Sequence, residues 1–285
     1  MTSSEWSTEI VNSRICDAAG RKRYAAGSPD LEEVEAYSRC LPENSRIGVV
    51  LGMTPELRNL AARHCIQLIC IDHSGSAIST YRDWLSPSLA AREHIIQGDW
   101  NDLKNVLPEP ADFILGDGIF GNVVPFADYS SLLGLISSAL SPRGCFVTRQ
   151  CLMLEGIPEN GQHRQWLLKR YRNKDLDEAG FGLSMRLHGY ADMAYDRETS
   201  ILDNKKVFAA IEADFQAGFF QLSEYQIIRR YFFQGLNSIP SKENWETMLK
   251  ANNFRFERQC CKGKYWYQYY SIYSCRPAER GQVRP

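Results

Sequence analysis

Three aspartates each stand at the end of a strand-like apolar run or shortly after it, a position in which acids can bind a polar ligand. Asp72 ends the run QLICID, Asp99 follows EHIIQ, and Asp117 ends ADFILGD. Parallel α/β sheets bind their ligands at the carboxyl ends of the strands. Because carboxylates accept hydrogen bonds and attract cations, the three acids favour a ligand with hydroxyl groups, amines or positive charge.

The segment 46–74 contains the strand, turn, helix and second strand that would position Asp72. IGVVL is an apolar, β-branched run typical of a buried strand. Gly52 permits a tight turn that exposes backbone N–H groups. We expect Thr54 to cap the following helix, and Pro55 suits the first helical position, where its missing N–H is not needed.

This alternation of strands and helices continues to residue 153 and predicts a doubly wound α/β sheet. Residues 155–240 interrupt it with mixed helical patterns that are rich in aromatic residues, which we expect to lie mostly in a core. The alternation resumes with a helix over 241–253. Two strands follow, which we expect to form an antiparallel pair at one sheet edge, joined by the turn KGK.

Composition excludes several classes of protein. The chain has 285 residues, a formal net charge of −1 and 44% hydrophobic residues, which argues against disorder and against a strongly basic nucleic-acid binder. No apolar run is long enough for a membrane span, and the first residues lack a signal-peptide core, so we expect a cytoplasmic protein.

The metal-binding residue types lack the spacing of a metal site. The nine cysteines include no C-x-x-C pair, and the five histidines show no H-x-x-x-H or H-E-x-x-H spacing. We expect free thiols and no bound metal.

The motifs LGMTPEL, ICIDHS, QGDW, ADFILGDG and LSPRGCFVTR resemble those of the class I S-adenosylmethionine (SAM) dependent methyltransferases. They cover residues 46–150, with a less specific likeness over 241–275. The chain looks like a branch of that family in which G-x-T-P-E replaces the first motif G-x-G-x-G. Thr54 and Pro55 then stand where small residues normally let the backbone approach the cofactor.

The resemblance implies an α/β, Rossmann-like fold. Its seven-stranded sheet would be mostly parallel, with an antiparallel edge hairpin, a helical N-terminal lid and a largely helical insertion. Residues 1–45 would form the lid, residues 46–154 and 241–285 the SAM-binding core, and residues 155–240 the insertion over the substrate.

The resemblance also implies that SAM is bound as a co-substrate. Asp72 would accept from the ribose hydroxyls, or else cap the next helix. Asp99 would accept from the adenine amino group, and Asp117 would face the ammonium or the sulfonium. The alternative that Asp99 and Asp117 are ordinary turn residues without a ligand stays open. The residues expected to bind SAM are Gly52, Thr54, Asp72, His73, Asp99, Trp100, Asp117, Gly118 and Ile119.

The sequence assigns no catalytic residue. Asn122, Tyr24 and Asp117 are the candidates, and Tyr24 with Arg14 could close the pocket from the N-terminal lid. Arg149 could pair a substrate carboxylate, or form a surface salt bridge.

The expected function is methyl transfer to a small molecule of secondary metabolism. Two alternatives stay open. One is a SAM-consuming alkyl transfer or the cyclisation of SAM to azetidine-2-carboxylic acid and methylthioadenosine. The other is a non-catalytic binding module with the same fold. The expected partner is a small-molecule substrate, with no nucleic acid and no membrane, and the sequence leaves open whether the chain forms a homodimer.

Overall fold

The computed structural model describes residues 27–156, 162–233 and 235–278. Tyr24 and Arg14, two residues of the expected lid, lie outside these ranges. The rest of the expected lid begins with helix α1, whose N-terminus is capped reciprocally. The Asp30 carboxylate accepts from the Glu33 N–H at 3.0 Å, and the Glu33 carboxylate accepts from the Asp30 N–H at 3.0 Å.

The strands of the described chain form two sheets. Their bounds are β1 Ser45–Leu51, β2 Cys65–Asp72, β3 Glu93–Gln97, β4 Ala111–Asp117, β5 Leu140–Cys151, β6 Tyr195–Asp196, β7 Ile201–Asp203, β8 Leu236–Ser238, β9 Phe254–Gln259 and β10 Tyr270–Pro277. The large sheet has the order β3-β2-β1-β4-β5-β10-β9, and β6, β7 and β8 form the small one. The neighbours from β3 to β5 run parallel, whereas β10 is antiparallel to both β5 and β9.

Helices cover both faces of the large sheet. Their bounds are α1 Leu31–Ser38, α2 Pro55–His64, α3 Gly75–Tyr81, α4 Pro87–Ala90, α5 Leu103–Val106, α6 Tyr129–Ala139, α7 Gln162–Arg172, α8 Glu178–Ser184, α9 Ala191–Ala194, α10 Asn204–Gln216, α11 Leu222–Arg229 and α12 Lys242–Ala251. Within the described ranges, no helix is long and apolar enough to cross a bilayer. The predicted α/β, Rossmann-like fold is confirmed.

The connection between the last two strands differs from the prediction of a tight KGK turn, which was wrong. Residues 260–269 separate β9 from β10 and include a helical turn, Tyr265–Tyr269. That turn buries Trp266, Tyr267 and Tyr269 against the core of the insertion, which an extended strand could not do with consecutive residues. In the sheet order, β10 lies inside the sheet, and β9 forms the edge.

The insertion has its own apolar core and contacts the sheet domain through polar groups as well as through the aromatic residues of the turn described above. The Tyr129 hydroxyl donates to the Ser238 carbonyl at 3.0 Å, and the Asn237 side chain donates to the Gly121 carbonyl at 2.9 Å. Most aromatic residues of the insertion lie in or against its core, as predicted, whereas Trp166 is 45% exposed. The three short strands β6–β8 were not predicted.

A buried ion pair fixes helix α2 against strand β3. The Nε and Nη2 atoms of Arg58 donate to the two oxygens of Glu93, both at 2.6 Å, and Nη1 donates to the Tyr81 carbonyl at 2.6 Å. The side chains are 0% and 3% exposed. Removing one charge of such a pair leaves the other buried without compensation.

The Glu93→Gln substitution should therefore lower the free energy of unfolding by about 3 kcal/mol, because the Arg58 charge stays buried. Urea denaturation followed by circular dichroism measures it. Glu109→Gln is the matched control, since Glu109 pairs with Arg46 at 2.8 Å on the surface, with side chains 71% (Arg46) and 39% (Glu109) exposed. That variant should change stability by less than about 1 kcal/mol. Equal losses in the two variants would contradict the explanation.

Candidate active site

The carboxyl ends of β1 and β2 meet at Gly52 and Asp72. Gly52 has a φ of +99°, a left-handed conformation that favours glycine. A Cβ atom on Gly52 would lie 3.8 Å from Oδ2 of Asp72. The turn therefore brings backbone close to this carboxylate, as the first motif predicts.

Asp72 does not cap the next helix, so the alternative interpretation of this residue was wrong. The cap of α3 is Ser74, whose hydroxyl accepts from the Ala77 N–H at 3.1 Å. The Asp72 Oδ1 atom accepts from the Ser74 N–H at 2.8 Å, and its side chain is 13% exposed. Burial raises the pKa of Asp72 above its ordinary value, although the Ser74 N–H and His73 act in the opposite direction.

Trp100 and Asp72 border the same cavity, whereas Asp99 does not border it. The Trp100 indole N–H donates to the Ile71 carbonyl at 3.0 Å, which fixes the ring at the end of β2. The Asp99 carboxylate is exposed and accepts from the Asn101 N–H at 2.9 Å, as a turn aspartate does. The role of Asp99 towards adenine stays a prediction.

Two cavities open at this edge of the sheet, and three side chains separate them. The first cavity is lined by Gly52, Asp72, His73 and Trp100, and the second by Arg149, Arg186, Phe233, Asn237 and Tyr270. Thr54, Asp117 and Asn122 line both cavities. A ligand could therefore extend from one cavity towards the other past these three side chains.

Thr54 occupies the N-cap position of α2, but its hydroxyl makes no capping hydrogen bond, so that part of the prediction was wrong. Pro55 stands at the first turn of the helix, as predicted. The N–H that Pro55 lacks is one that the helix leaves unpaired in any case, and the Thr54 side chain borders both cavities.

Asp117 is part of a buried ion network with Arg149 and Glu33. The Arg149 Nε atom donates to Asp117 Oδ1 at 2.7 Å, and Nη2 donates to Oδ2 at 3.3 Å. Nη1 donates to both oxygens of Glu33, at 3.1 and 3.0 Å. The prediction of a surface salt bridge for Arg149 was wrong, because the side chain is buried. We expected Asp117 to accept from an ammonium group of the ligand. Its carboxylate already binds Arg149, and the contact with an ammonium group stays a prediction.

The network carries one negative charge in excess, since two carboxylates surround one guanidinium. Burial opposes the charge on Arg149, but Asp117 and Glu33 outweigh it and hold the pKa of Arg149 well above its ordinary value. Burial raises the pKa of Glu33 despite the adjacent guanidinium. Asp117 is the carboxylate of the network that borders both cavities, so a cationic group of a ligand would be attracted to it there.

Sequence reasoning missed Glu33 and Tyr37, which lie on α1. The Tyr37 hydroxyl accepts from the Arg149 N–H at 2.5 Å and donates to the Gly116 carbonyl at 2.7 Å, so it joins the ends of β4 and β5. The spacing of Asp30 and Glu33 signals a capping box, but it gives no indication that Glu33 also reaches a residue 116 positions later.

The loop after β4 holds the remaining predicted residues. Gly118 has a φ of +60°, and its N–H donates to the Arg149 carbonyl at 2.9 Å. Ile119 is buried and lines the first cavity. The Oδ1 atom of Asn122 is buried and has no hydrogen-bond partner among the described residues, which suits an atom that accepts from a ligand. No group of three potential metal ligands occurs within the described ranges.

Comparison with known proteins supports the fold, but it does not establish the function. No family model and no curated protein matches the sequence. The CcbJ methyltransferase from Streptomyces caelestis matches with a TM-score of 0.55 and 10% identity, over 90% of this chain and 93% of that one. A putative Zn-dependent alcohol dehydrogenase from Rhodobacter sphaeroides matches with a TM-score of 0.54 and 14% identity, over 89% and 91%. Identities this low show the fold alone.

The chain spans about half the length of several proteins of known structure to which it is similar. It covers 55% of an O-methyltransferase family protein from Burkholderia thailandensis, with 87% of this chain aligned, 11% identity and a TM-score of 0.48. What the site binds has to be argued from its own residues.

The raised pKa of Asp72 predicts a stability that depends on pH. A carboxyl with a raised folded-state pKa stabilises the fold when protonated; this contribution is complete below the unfolded value of about 3.9 and is lost as pH rises through the folded pKa. The Asp72→Asn variant cannot ionise, so it should gain stability relative to the wild type between pH 4 and pH 7. Thermal unfolding at both pH values measures the difference.

The control for this comparison is Asp99→Asn, the same change at the exposed end of the next strand. Its stability relative to the wild type should change less between the two pH values, because its carboxyl is not buried. A variant of Asp72 that loses stability relative to the wild type as pH rises would contradict the argument.

Proposed function

We propose that this protein is a SAM-dependent transferase that methylates a small molecule. The observation that carries the proposal is that the buried Asp72 carboxylate, beside the Gly52 turn, and the Asp117 carboxylate line the same cavity. This pattern suits a ligand with a diol at one end and a cation at the other. SAM has both, in its ribose and its sulfonium.

The residues of the first cavity fit the adenosyl part of SAM. The Asp72 carboxylate would accept from the ribose hydroxyls, and the Trp100 ring, held by Ile71, would border the purine. Thr54 and Asn122 would face the methionyl part, where Asn122 offers a buried acceptor. Thr54 and Pro55 stand where the usual G-x-G-x-G motif has small residues. That the G-x-T-P-E motif defines a branch of the methyltransferase family stays a prediction.

The chemistry that bound SAM supplies is an activated methyl group on a sulfonium. The protein's contribution to an in-line displacement would be to orient the two substrates and exclude water. The Asp117–Arg149–Glu33 network would stabilise the sulfonium in the bound state through its surplus charge. Asn122, which borders both cavities, is our candidate for orienting the acceptor, and we assign no general base.

The second cavity supports transfer to a second molecule. It lies beyond Thr54, Asp117 and Asn122 and offers room that a reaction of SAM with itself does not need. Three alternatives are distinguished by the experiments below. They are the cyclisation of SAM, another alkyl transfer from SAM, and a non-catalytic role. The domain assignments, the cytoplasmic location and the oligomeric state stay predictions.

Calorimetry with SAM and with S-adenosylhomocysteine tests the proposal. The wild type should bind both, and Asp72→Asn should weaken both about tenfold or more, because a hydrogen bond to a charged group contributes about 1.5–3 kcal/mol. Asp175→Asn is the control, because its exposed carboxyl lines neither cavity, and it should bind both nucleosides as the wild type does. Absence of binding to the wild type would overturn the proposal.

Incubation with SAM alone, followed by chromatography of the products, separates the chemistries. Methylthioadenosine above the spontaneous background would indicate cyclisation or aminocarboxypropyl transfer in place of methyl transfer. With an accepted substrate present, the proposal expects S-adenosylhomocysteine instead.

A further inference from the structure

Arg186 is a buried cation at the boundary between the insertion and the sheet domain. It lies in a helical turn, Met185–Gly189, that widens the helix after α8, and it is only 7% exposed. Its guanidinium lines the second cavity. Burial lowers the pKa of Arg186 below its ordinary value, which reflects the cost of holding a charge away from water.

The partners of Arg186 are neutral. Its Nε atom donates to Oδ1 of Asn204 at 3.0 Å, its Nη2 atom donates to Oδ1 of Asn237, and its guanidinium lies 4.8 Å from the centre of the Phe233 ring. Among the described residues, no carboxylate lies within salt-bridge distance of it, and none accepts from its Nη1 atom. Arg186 is held in position without being neutralised.

The other two buried arginines of the described chain differ in this respect. Arg58 binds both oxygens of Glu93, and Arg149 binds Asp117 and Glu33. Buried charges in proteins are normally paired, because the cost of removing an ion from water is several kcal/mol. The missing anion of Arg186 would therefore come from outside the described chain, and the cavity is where a ligand could supply it.

The position of Arg186 indicates which part of the ligand it would meet. Asn237 connects it to the loop after β4, since the Asn237 side chain donates to the Gly121 carbonyl at 2.9 Å. Asn122, the next residue, separates the second cavity from the first. A group bound at Arg186 thus lies on the opposite side of Asn122 from Asp72, where the acceptor of the transfer would bind.

We propose that Arg186 binds the carboxylate of the acceptor, and that the acceptor is a small carboxylic acid with an apolar or aromatic body. The inference rests on the proposed function and names its substrate class. One guanidinium matches one carboxylate in a two-point contact. The rings of Tyr231, Phe233 and Tyr270 line the same cavity and suit an apolar body.

The experiment uses probes that differ only in charge. The full-length protein is saturated with S-adenosylhomocysteine and titrated by calorimetry with benzoate and 3-phenylpropionate, each against its neutral amide. The wild type should bind at least one acid more tightly than its amide by tenfold or more. Arg186→Gln should remove this preference, and Arg46→Gln, at an exposed arginine, should keep it.

A second variant covers the case in which Arg186→Gln does not fold. Asn237→Asp places a carboxylate next to Arg186 with almost no change in volume, so the guanidinium gains an internal partner. This variant should also lose the preference for the acid. Retention of the preference in either folded variant would overturn the inference, and so would a wild type that does not distinguish the acids from their amides.

SAM itself also has a carboxylate that Arg186 could bind. The Arg186→Gln variant distinguishes this carboxylate from that of the acceptor. S-adenosylhomocysteine carries it and methylthioadenosine does not. If Arg186 serves the acceptor, Arg186→Gln should change the affinities for the two nucleosides by similar, small factors. A tenfold loss confined to S-adenosylhomocysteine would assign Arg186 to the cofactor and overturn the inference. Failure of the wild type to bind either nucleoside would instead overturn the proposed function.

Discussion

The buried guanidinium of Arg149 connects more parts of this structure than any other polar group described above. It binds Asp117 at the end of β4 and Glu33 on α1, and it lies 4.4 Å from the centre of the Tyr270 ring at the start of β10. Because a buried charge needs its partners in place, the first helix, two central strands and the last strand have to assemble together. The border between the two cavities is made at this point.

Electrostatics divide the site into regions of different character. Asp72 and Asp117 line the first cavity, whereas the second cavity is lined by Arg186, which has no carboxylate partner among the described residues. The two regions are held apart by neutral side chains, among them Asn122 and Asn237. A site of this kind would suit the cationic donor and the anionic acceptor that we propose, and charge complementarity of this type gives specificity more than affinity.

Several features could be predicted because they depend on neighbouring residues alone. The apolar run before Asp72 predicts a buried strand, Pro55 predicts the start of a helix, and Ser241 caps α12 as its sequence indicates, accepting from the Asn244 N–H at 3.1 Å. The wrong predictions involve residues whose partners are distant. The aromatic run after β9 looks like a strand by propensity, but it forms a helical turn because its rings pack on the insertion.

The sequence by itself determined the α/β architecture and the placement of Asp72 and Asp117 at strand ends, because hydrophobic runs and turn residues act over a few positions. Only the tertiary structure decided what these acids contact. Glu33 and Arg149 are 116 residues apart, and Arg186 and Asn237 are 51 apart. Pairing across such distances is selected by burial and geometry in the folded chain, which local patterns do not encode. The fold therefore paired Arg149 with two carboxylates and left Arg186, which also lines the second cavity, without a carboxylate partner among the described residues.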